Sequence, residues 1–412
     1  MKLLFRIYVR LLMCIILALF SACRPDGLVS VTREDLFTLD IGLLEDQIDL
    51  YNLEGGRNSR TTSLAVRDGL FYIADGNGGK VVHYTSYGDL LFMIYNEETN
   101  PPPLTLRTDV EAGGIITRRA FSYPLQEPGT IAVDARKHIY VEDRLPYERR
   151  RFNTENRILE DSIVLHFDPS GSFMGYLGKE GIGGSPFPNI ERISVSVRDE
   201  YAVVCRMPTG WTIYWYDAEG TLLYLLPLKN ENIPIPPDRQ PVFPSIDTIA
   251  VSPDSRKVFV KVDYYRETFD ESTNTRLGTE PDSSVIWLLN MEDGSYEGTL
   301  EVPFFEQRII DPRAVENTRR TTERLFYSLL GVVKNDQVFL IFPVEGGYSI
   351  MILSTDGHQQ RRGFIQVQNE ELQYNTFTIS AEGILSALLA TDFQARLVWW
   401  RTDKFLEEGG AP

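Results

Sequence analysis

Apolar and polar residues alternate along this chain in short runs, and Gly, Asn, Asp and Ser cut the runs apart. The stretch from Leu64 to Ile94, LAVRDGLFYIADGNGGKVVHYTSYGDLLFMI, shows the pattern in full. LAV is a first strand, and Arg67-Asp68-Gly69 turns it into LFYIA. Asp75-Gly76-Asn77-Gly78-Gly79 then turns into KVVHYT, and Tyr87-Gly88-Asp89 into LLFMI. β-Branched and aromatic residues fill the runs, while the turns hold the residues for which positive φ costs least. One four-stranded sheet of this kind has two faces to bury and is not stable alone. A radial array of such sheets buries both.

Copies follow down the chain. Ile131 onward gives IAVDARKHIYVED and, after an interruption, SIVLHFDPSGSFMGYLG. Further units start at Ile193, at Ile249 (interrupted after KVFVKVD), at Leu330 and near Phe377. The turn between third and fourth strands recurs as Tyr87-Gly88, Ser170-Gly171, Glu219-Gly220, Asp293-Gly294 and Asp356-Gly357. The pattern predicts an all-β protein, a single β-propeller of six four-stranded blades. The last unit runs short of strands after Trp399-Trp400. Leu36 to Ile41 or Gln47 to Tyr51 is expected to complete it, since ring closure removes exposed sheet edges. The expected division is a signal segment at 1–22, a tether and closing strand at 23–53, and the propeller at 54–412.

Tight turns join first to second and third to fourth strands, and the other connections are long. Tyr95–Glu127, Lys179–Glu191, Lys229–Ser245 and Pro303–Leu325 separate blades, while Glu142–Asp161 and Asp263–Ser284 fall between second and third strands. Strands of a meander alternate in direction, so both kinds of long connection emerge on one face of the disc. Long loops in a compact domain tend to carry function. On this face the candidate binding residues are Tyr147, Arg149, Arg150 and Arg151 in one insert, and Tyr264, Tyr265 and Phe269 in the other. Aromatics with arginines suit protein recognition, and the arginines suit an acidic partner or lipid head groups. The bland alternatives are arginines paired with their own acidic neighbours and aromatics pinning the loop to its blade. Pro101-Pro102-Pro103 and Pro234-Ile235-Pro236-Pro237 read as stiff spacers.

The N-terminus changes the picture by giving an address. Lys2, Arg6 and Arg10 precede an apolar run, Leu11 to Phe20, that is too short to span a bilayer. Leu19-Phe20-Ser21-Ala22-Cys23 follows, and resembles a bacterial lipobox with Phe20 where Leu or Val is usual. That resemblance implies lipidation of Cys23, with acyl chains such as palmitate anchoring the chain at a membrane of the cell envelope. The alternative is an ordinary secretory signal peptide. Cys14 would leave with the signal, so Cys205 is expected to remain alone, as a small buried hydrophobe. The chain carries −17; removing Lys2, Arg6 and Arg10 makes that −17 − 3 = −20. Such a charge is repelled by phosphate backbones and argues against nucleic acid.

Chemistry is sparse. His83 and His166 each stand five residues before a turn glycine, where other units place Trp215, Leu289 and Ile352. A position that accepts Trp, Leu and Ile is a packing position, so neither histidine is expected to be a ligand. His138 and His358 fall in tight turns, and no clustered metal-ligand spacing appears. Asp75 to Lys80 lacks the later Glu of a calcium loop and reads as an ordinary turn, and Gly181-Ile182-Gly183-Gly184-Ser185 reads as a hinge. No Gly-x-Ser-x-Gly, HExxH or Walker motif is present, and no cofactor is expected. Glu142, Asp143 and Asp263 are the carboxylates that a hydrolase or lactonase would need to bring together at the channel mouth.

The first unit, LFYIADGNGGKVVHYTSYGDLL, resembles an NHL-type repeat, and HIYVEDR with VLHFDPSG is similar once the insert is removed. With the lipobox-like stretch and EDQIDLYN before the first unit, the chain resembles a family of spirochaete NHL-like propeller lipoproteins. That family implies a fold and an address and transfers no catalytic residue. The signatures of WD40 and quinoprotein propellers are missing. Three readings stand: a membrane-anchored protein-binding or scaffold module for an envelope protein or polymer, an envelope hydrolase acting on a glycan, lactone or peptide, and a small-ligand sensor.

Overall fold

A computed structural model of the protein describes residues 29–51, 62–108, 118–178, 184–236, 242–270, 272–310, 320–355, 360–368 and 372–407. Three strands come first: β1 (Val29–Val31), β2 (Arg33–Ile41) and β3 (Gln47–Ile48). Blade one is β4 (Ser63–Arg67), β5 (Leu70–Asp75), β6 (Lys80–Thr85) and β7 (Leu90–Tyr95), with β8 (Arg119–Ser122) added in parallel to its outer edge. Blade two is β9 (Ile131–Val133), β10 (Ile139–Arg144), β13 (Ser162–Phe167) and β14 (Phe173–Tyr176). Its insert forms a separate hairpin, β11 (Arg151–Asn153) and β12 (Ile158–Glu160). Blade three is β15 (Asn189–Val195), β16 (Tyr201–Met207), β17 (Gly210–Tyr216) and β18 (Leu222–Lys229). Blade four is β19 (Phe243–Val251), β20 (Lys257–Phe269), β21 (Arg276–Asn290) and β22 (Tyr296–Val302).

A hairpin of β23 (Phe305–Ile310) and β24 (Arg320–Leu325) leads to blade five, which is β25 (Ser328–Val333), β26 (Gln337–Val344), β27 (Gly347–Leu353) and β28 (Gln360–Gln366). Blade six is β29 (Tyr374–Ile379), β30 (Leu385–Ala390) and β31 (Gln394–Trp400). The predicted six-bladed β-propeller is the observed fold. Six apolar cores lie one between each pair of successive blades, and the last, holding Leu39, Phe71, Ile73 and Leu397, joins blade six to blade one. The ring is therefore closed by packing.

It is also closed by hydrogen bonding. β2 is the fourth strand of blade six and pairs antiparallel with β31 from Arg33↔Trp400 to Asp40↔Gln394. Leu36 to Ile41 does what the pattern predicted. Gln47 to Tyr51 was the other candidate, and its first two residues form β3, a fifth strand parallel to β2. Leu39 and Ile48 are buried, each worth about 1.5–3 kcal/mol relative to exposure. Gly88 shows why its turn excludes a side chain: its φ is +84° and a Cβ there would stand 2.8 Å from Phe37 Cβ on β2.

The innermost strands β4, β9, β15, β19, β25 and β29 surround the central channel. On the tight-turn face a circle of contacts ties neighbours together. Lys137 pairs with Asp68 at 2.6 Å, Arg136 with Asp199 at 3.6 Å, and Lys334 with Glu382 at 3.2 Å. Asp68, Asp199 and Asn335 take positive φ in these turns, as the Asp- and Asn-rich spacing implies, and Lys137 does so as well. One expectation is corrected here. Asp263–Ser284 is no loop interrupting blade four, because β20 and β21 pair without a break in chain from Lys257↔Asn290 out to Phe269↔Arg276, with two register shifts. Apolar alternation fades where the ribbon leaves the disc, so the sequence reads there as insertion. Cys23, Gly181 to Gly183, Pro237, Asp356-Gly357 and His358 lie outside the described residues.

Candidate functional site

The long connections do share one face, and its two projections are β11–β12 and the outer half of β20–β21. The first is rooted by charge. Arg144 on β10 pairs with Glu127 at 2.6 Å and with Asp161 at 3.1 Å, and Leu145 is buried beneath. The three consecutive arginines then part company. The Arg149 guanidinium lies 5.6 Å over the Tyr176 ring. Arg150 Nε donates to the Leu145 carbonyl at 2.9 Å. Arg151 stands 3.8 Å from Glu160 across the hairpin. They form no single basic patch, and among the charged side chains the insert also exposes three large apolar ones, Tyr147, Phe152 and Leu159.

In the second projection Asp270 caps the tip, accepting from the N–H groups of Ser272 and Thr273 and from both hydroxyls. The Ser272 hydroxyl, then the Thr273 N–H and hydroxyl, pull the Asp270 carboxyl down to about 2. Of the three aromatics singled out, only Phe269 is well exposed, at 47%. Tyr264 is corrected: it is fully buried, with its hydroxyl donating to the Pro234 carbonyl and accepting from Trp287 Nε1 at 2.9 Å. Alternation along β20 turns it inward, which a loop assignment conceals. Tyr265 is half-buried edge-to-face against Phe326, with centroids 5.4 Å apart.

The carboxylates do not converge. Glu142 accepts the Thr130 N–H at 3.0 Å, and Asp143 accepts those of Gln126 and Glu127 at 3.0 and 2.8 Å. Each organises the connection entering blade two. Asp263 is held by Lys261 at 2.7 Å and by the Ser284 hydroxyl at 2.6 Å. Burial raises its pKa, and Lys261 acts in the opposite direction. Among the described residues no three His, Cys, Asp or Glu side chains stand close enough to hold a metal ion, and no helix is long and apolar enough to cross a membrane.

His83 is a packing residue as expected, stacked 4.1 Å from Tyr72 and meeting Phe92 at 4.7 Å. Burial lowers it to about 4. His166 holds the same register place, opposite Tyr140, but it also meets His138 Nδ1 at 2.9 Å and the Tyr140 hydroxyl at 3.2 Å. Burial, then the His138 charge, lowers it to about 4. Packing alone therefore describes His83 and not His166, because His138 lies across a turn that spacing did not connect to it. Cys205 is fully buried, with its thiol pKa pushed well up by burial.

The turn after Asp75 carries a role that spacing did not reveal. Asp75 accepts the N–H of Gly78 at 3.0 Å and of Asp49 at 2.9 Å. Lys80 Nζ donates to the carbonyls of Leu43 and Leu44. Glu45 accepts from the N–H groups of Leu104 and Thr105. The segment after β2 is thereby fastened to blade one and to its long loop. The charged residues of EDQID were the available signal.

No family model matches the chain, and no curated protein matches it. The chain is similar to solved structures. One is a gluconolactonase from Xanthomonas campestris, at 12% identity over 92% of this chain and 99% of that one, with a TM-score of 0.38. Another is the β-propeller domain of the Trilobed protease from Pyrococcus furiosus, at 11% over 84% and 94%, with a TM-score of 0.39. A third is the calcium-binding protein regucalcin from Agrobacterium tumefaciens, at 11% over 90% and 94%, with a TM-score of 0.37. At these scores no activity passes to this chain from any of them.

Proposed function

We propose that the protein is a binding module that engages a protein partner through the loop-bearing face of its propeller. One observation carries the reading. Of the 17 large apolar side chains exposed among the described residues, ten lie on that face, two on the tight-turn face and five on outer strands. They include Tyr147, Phe152 and Leu159 on the blade-two insert and Phe269 and Leu277 on the blade-four ribbon. Apolar side chains gathered on one face of a chain this acidic mark a surface that a partner covers. The catalytic alternative is disfavoured by Glu142, Asp143 and Asp263, each occupied by backbone or by its own lysine.

The address belongs to the same proposal. The lipobox-like stretch ending at Cys23 and the NHL-like first unit support a lipid-anchored protein of the cell envelope, akin to the spirochaete propeller lipoproteins. The loop face would then meet an envelope protein or polymer. Replacing Phe152, Leu159, Phe269 and Leu277 by serine should abolish a crosslinked partner in cells while leaving the melting temperature within about 2 °C, since all four are exposed. A partner captured equally well by that variant would refute the reading. Cys23→Ser should release the chain from membranes, and continued membrane association would refute the anchor.

A further inference from the structure

The central channel contains a charge that the fold leaves unanswered. Arg192, on the innermost strand of blade three, reaches across the channel. Its Nη2 donates to the Leu330 carbonyl of blade five at 3.1 Å, with blade four lying between them in the ring. The guanidinium is enclosed by the channel walls while keeping some accessible surface. Enclosure lowers its pKa, and Glu191 alone acts in the other direction. Among the described residues no carboxylate stands within ion-pair reach of Arg192. Glu191 lies nearer to Arg206, at 4.0 Å, and Asp247 is held by Lys261 at 3.1 Å. Enclosed in this way, and with one neutral acceptor among the described residues for its five N–H donors, the arginine is left to water or to an anion for the rest.

The backbone around it is built for the purpose. The innermost strands of blades three, four and five each carry one extra residue against their partner strand: Glu191, Asp247 and Leu330. The innermost pairs of blades one, two and six run in unbroken register. Bulges of this kind re-aim side chains and gather next to binding sites. The bulge at Leu330 presents its carbonyl to Arg192. The next residue is Gly331, where a Cβ would stand 3.5 Å from Arg192 Nη1 and 2.9 Å from Ile379 Cγ2. Arg192 lies three residues before Val195, and the matching places before Val133, Val251 and Ile379 hold Thr130, Thr248 and Thr376, none of them fully buried, while the place before Val333 holds Leu330. Four of the six blades therefore place a guanidinium or a threonine at this point of the innermost strand, and blade five offers the Leu330 carbonyl.

We propose that this level of the channel is a binding site for a small oxyanion, a carboxylate or a phosphate, with Arg192 as its charged anchor. The site is separate from the loop face and does not rest on the protein-binding reading. Guanidinium pairs such groups through two parallel N–H donors, which gives geometric selectivity over chloride. Binding to the native state alone raises its stability as the logarithm of the anion concentration once that exceeds the dissociation constant.

The test is thermal unfolding of the intact protein in sodium phosphate and in sodium succinate, against sodium chloride at equal ionic strength. At least one of the two should raise the melting temperature above the chloride control, in step with the logarithm of its concentration, and which one does identifies the anion class. Arg192→Met should melt at or above the wild type in chloride, because an unpaired enclosed charge is gone, and should lose the anion-specific shift. Arg192→Lys keeps the charge without the fork and should need about tenfold more anion for the same shift. A residue serving only to brace the channel would give the opposite result, a destabilised Arg192→Met with the anion response intact. The proposal is overturned if neither anion exceeds chloride, or if Arg192→Met responds as the wild type does. Should Arg192→Met not fold, an Arg192→Lys response equal to wild type overturns it as well.

Discussion

Replacing Lys80 by methionine tests the joint that closes the ring. Lys80 is fully buried, and its ammonium donates to the Leu43 and Leu44 carbonyls at 3.2 and 2.6 Å. Asp75 faces it in register on β5 and is fully buried too. Removing the cation leaves a buried carboxylate without the nearest compensating charge and two carbonyls without a donor. Breaking such an arrangement from one side costs about 3–5 kcal/mol. With about 2.1 cal/mol/K of melting entropy per residue, 412 residues correspond to roughly 0.9 kcal/mol/K and a fall of about 3–6 °C.

The sign with pH follows from Asp75. Burial raises its carboxyl to about 6, with Lys80 as the main opposing influence. A raised carboxyl contributes stability below its unfolded pKa and loses it as pH climbs through the folded value. Without Lys80 the folded value rises further, so the loss extends to higher pH. Lys80→Met should therefore cost more at pH 8 than at pH 5, read by circular-dichroism melting at both. Adding Asp75→Asn should restore part of the loss at pH 8, because the stranded charge is gone. A fall under about 1 °C at pH 8, or a double variant as unstable as the sum of the singles, would refute the reasoning.

Other consequences are checked more quickly. His83 sits at about 4 in the folded state, below its unfolded value of about 6.5. Its contribution is therefore present above pH 6.5 and lost as pH falls toward 4, by about 3 kcal/mol at the limit. His83→Phe should keep the stack on Tyr72 and resist acid, gaining about 2 kcal/mol over wild type at pH 4.5 in urea titrations relative to pH 7; parallel pH profiles would count against it. Gly88→Ala should cost about 2 kcal/mol or more through positive φ and the contact with Phe37. Gly69→Ala, at φ +74° with nothing within 4 Å, should lose only the conformational part, about 1 kcal/mol, and equal losses would deny the contact with β2. Tyr264→Phe should destabilise by about 1–3 kcal/mol, since the Pro234 carbonyl and the Trp287 N–H lose their partner; a neutral result in thermal melts would return Tyr264 to the surface.

Blade number and turn positions were legible in the chain because they are local, and the need for a closing strand because the last unit runs short after Trp399-Trp400. A strand is written as two-residue alternation, and a turn favours Gly, Asn or Asp where φ is positive, as at Asp68, Gly88 and Asn335. The packing role of His83 was legible for the same reason, since repeats let one place be compared across blades. What the sequence could not state is which distant residues meet. Ring closure brings β2 against β31, Lys80 under Leu43 and Leu44, and Arg192 across to Leu330. None of these separations leaves a spacing to read. Tyr264 was misplaced because fading alternation reads alike in a loop and in a projecting ribbon, and only pairing with β21 distinguishes them. The carboxylates show the limit from the other side. Their chemistry is open in the sequence, but the backbone N–H groups and the lysine that occupy Glu142, Asp143 and Asp263 exist only once the blades have assembled.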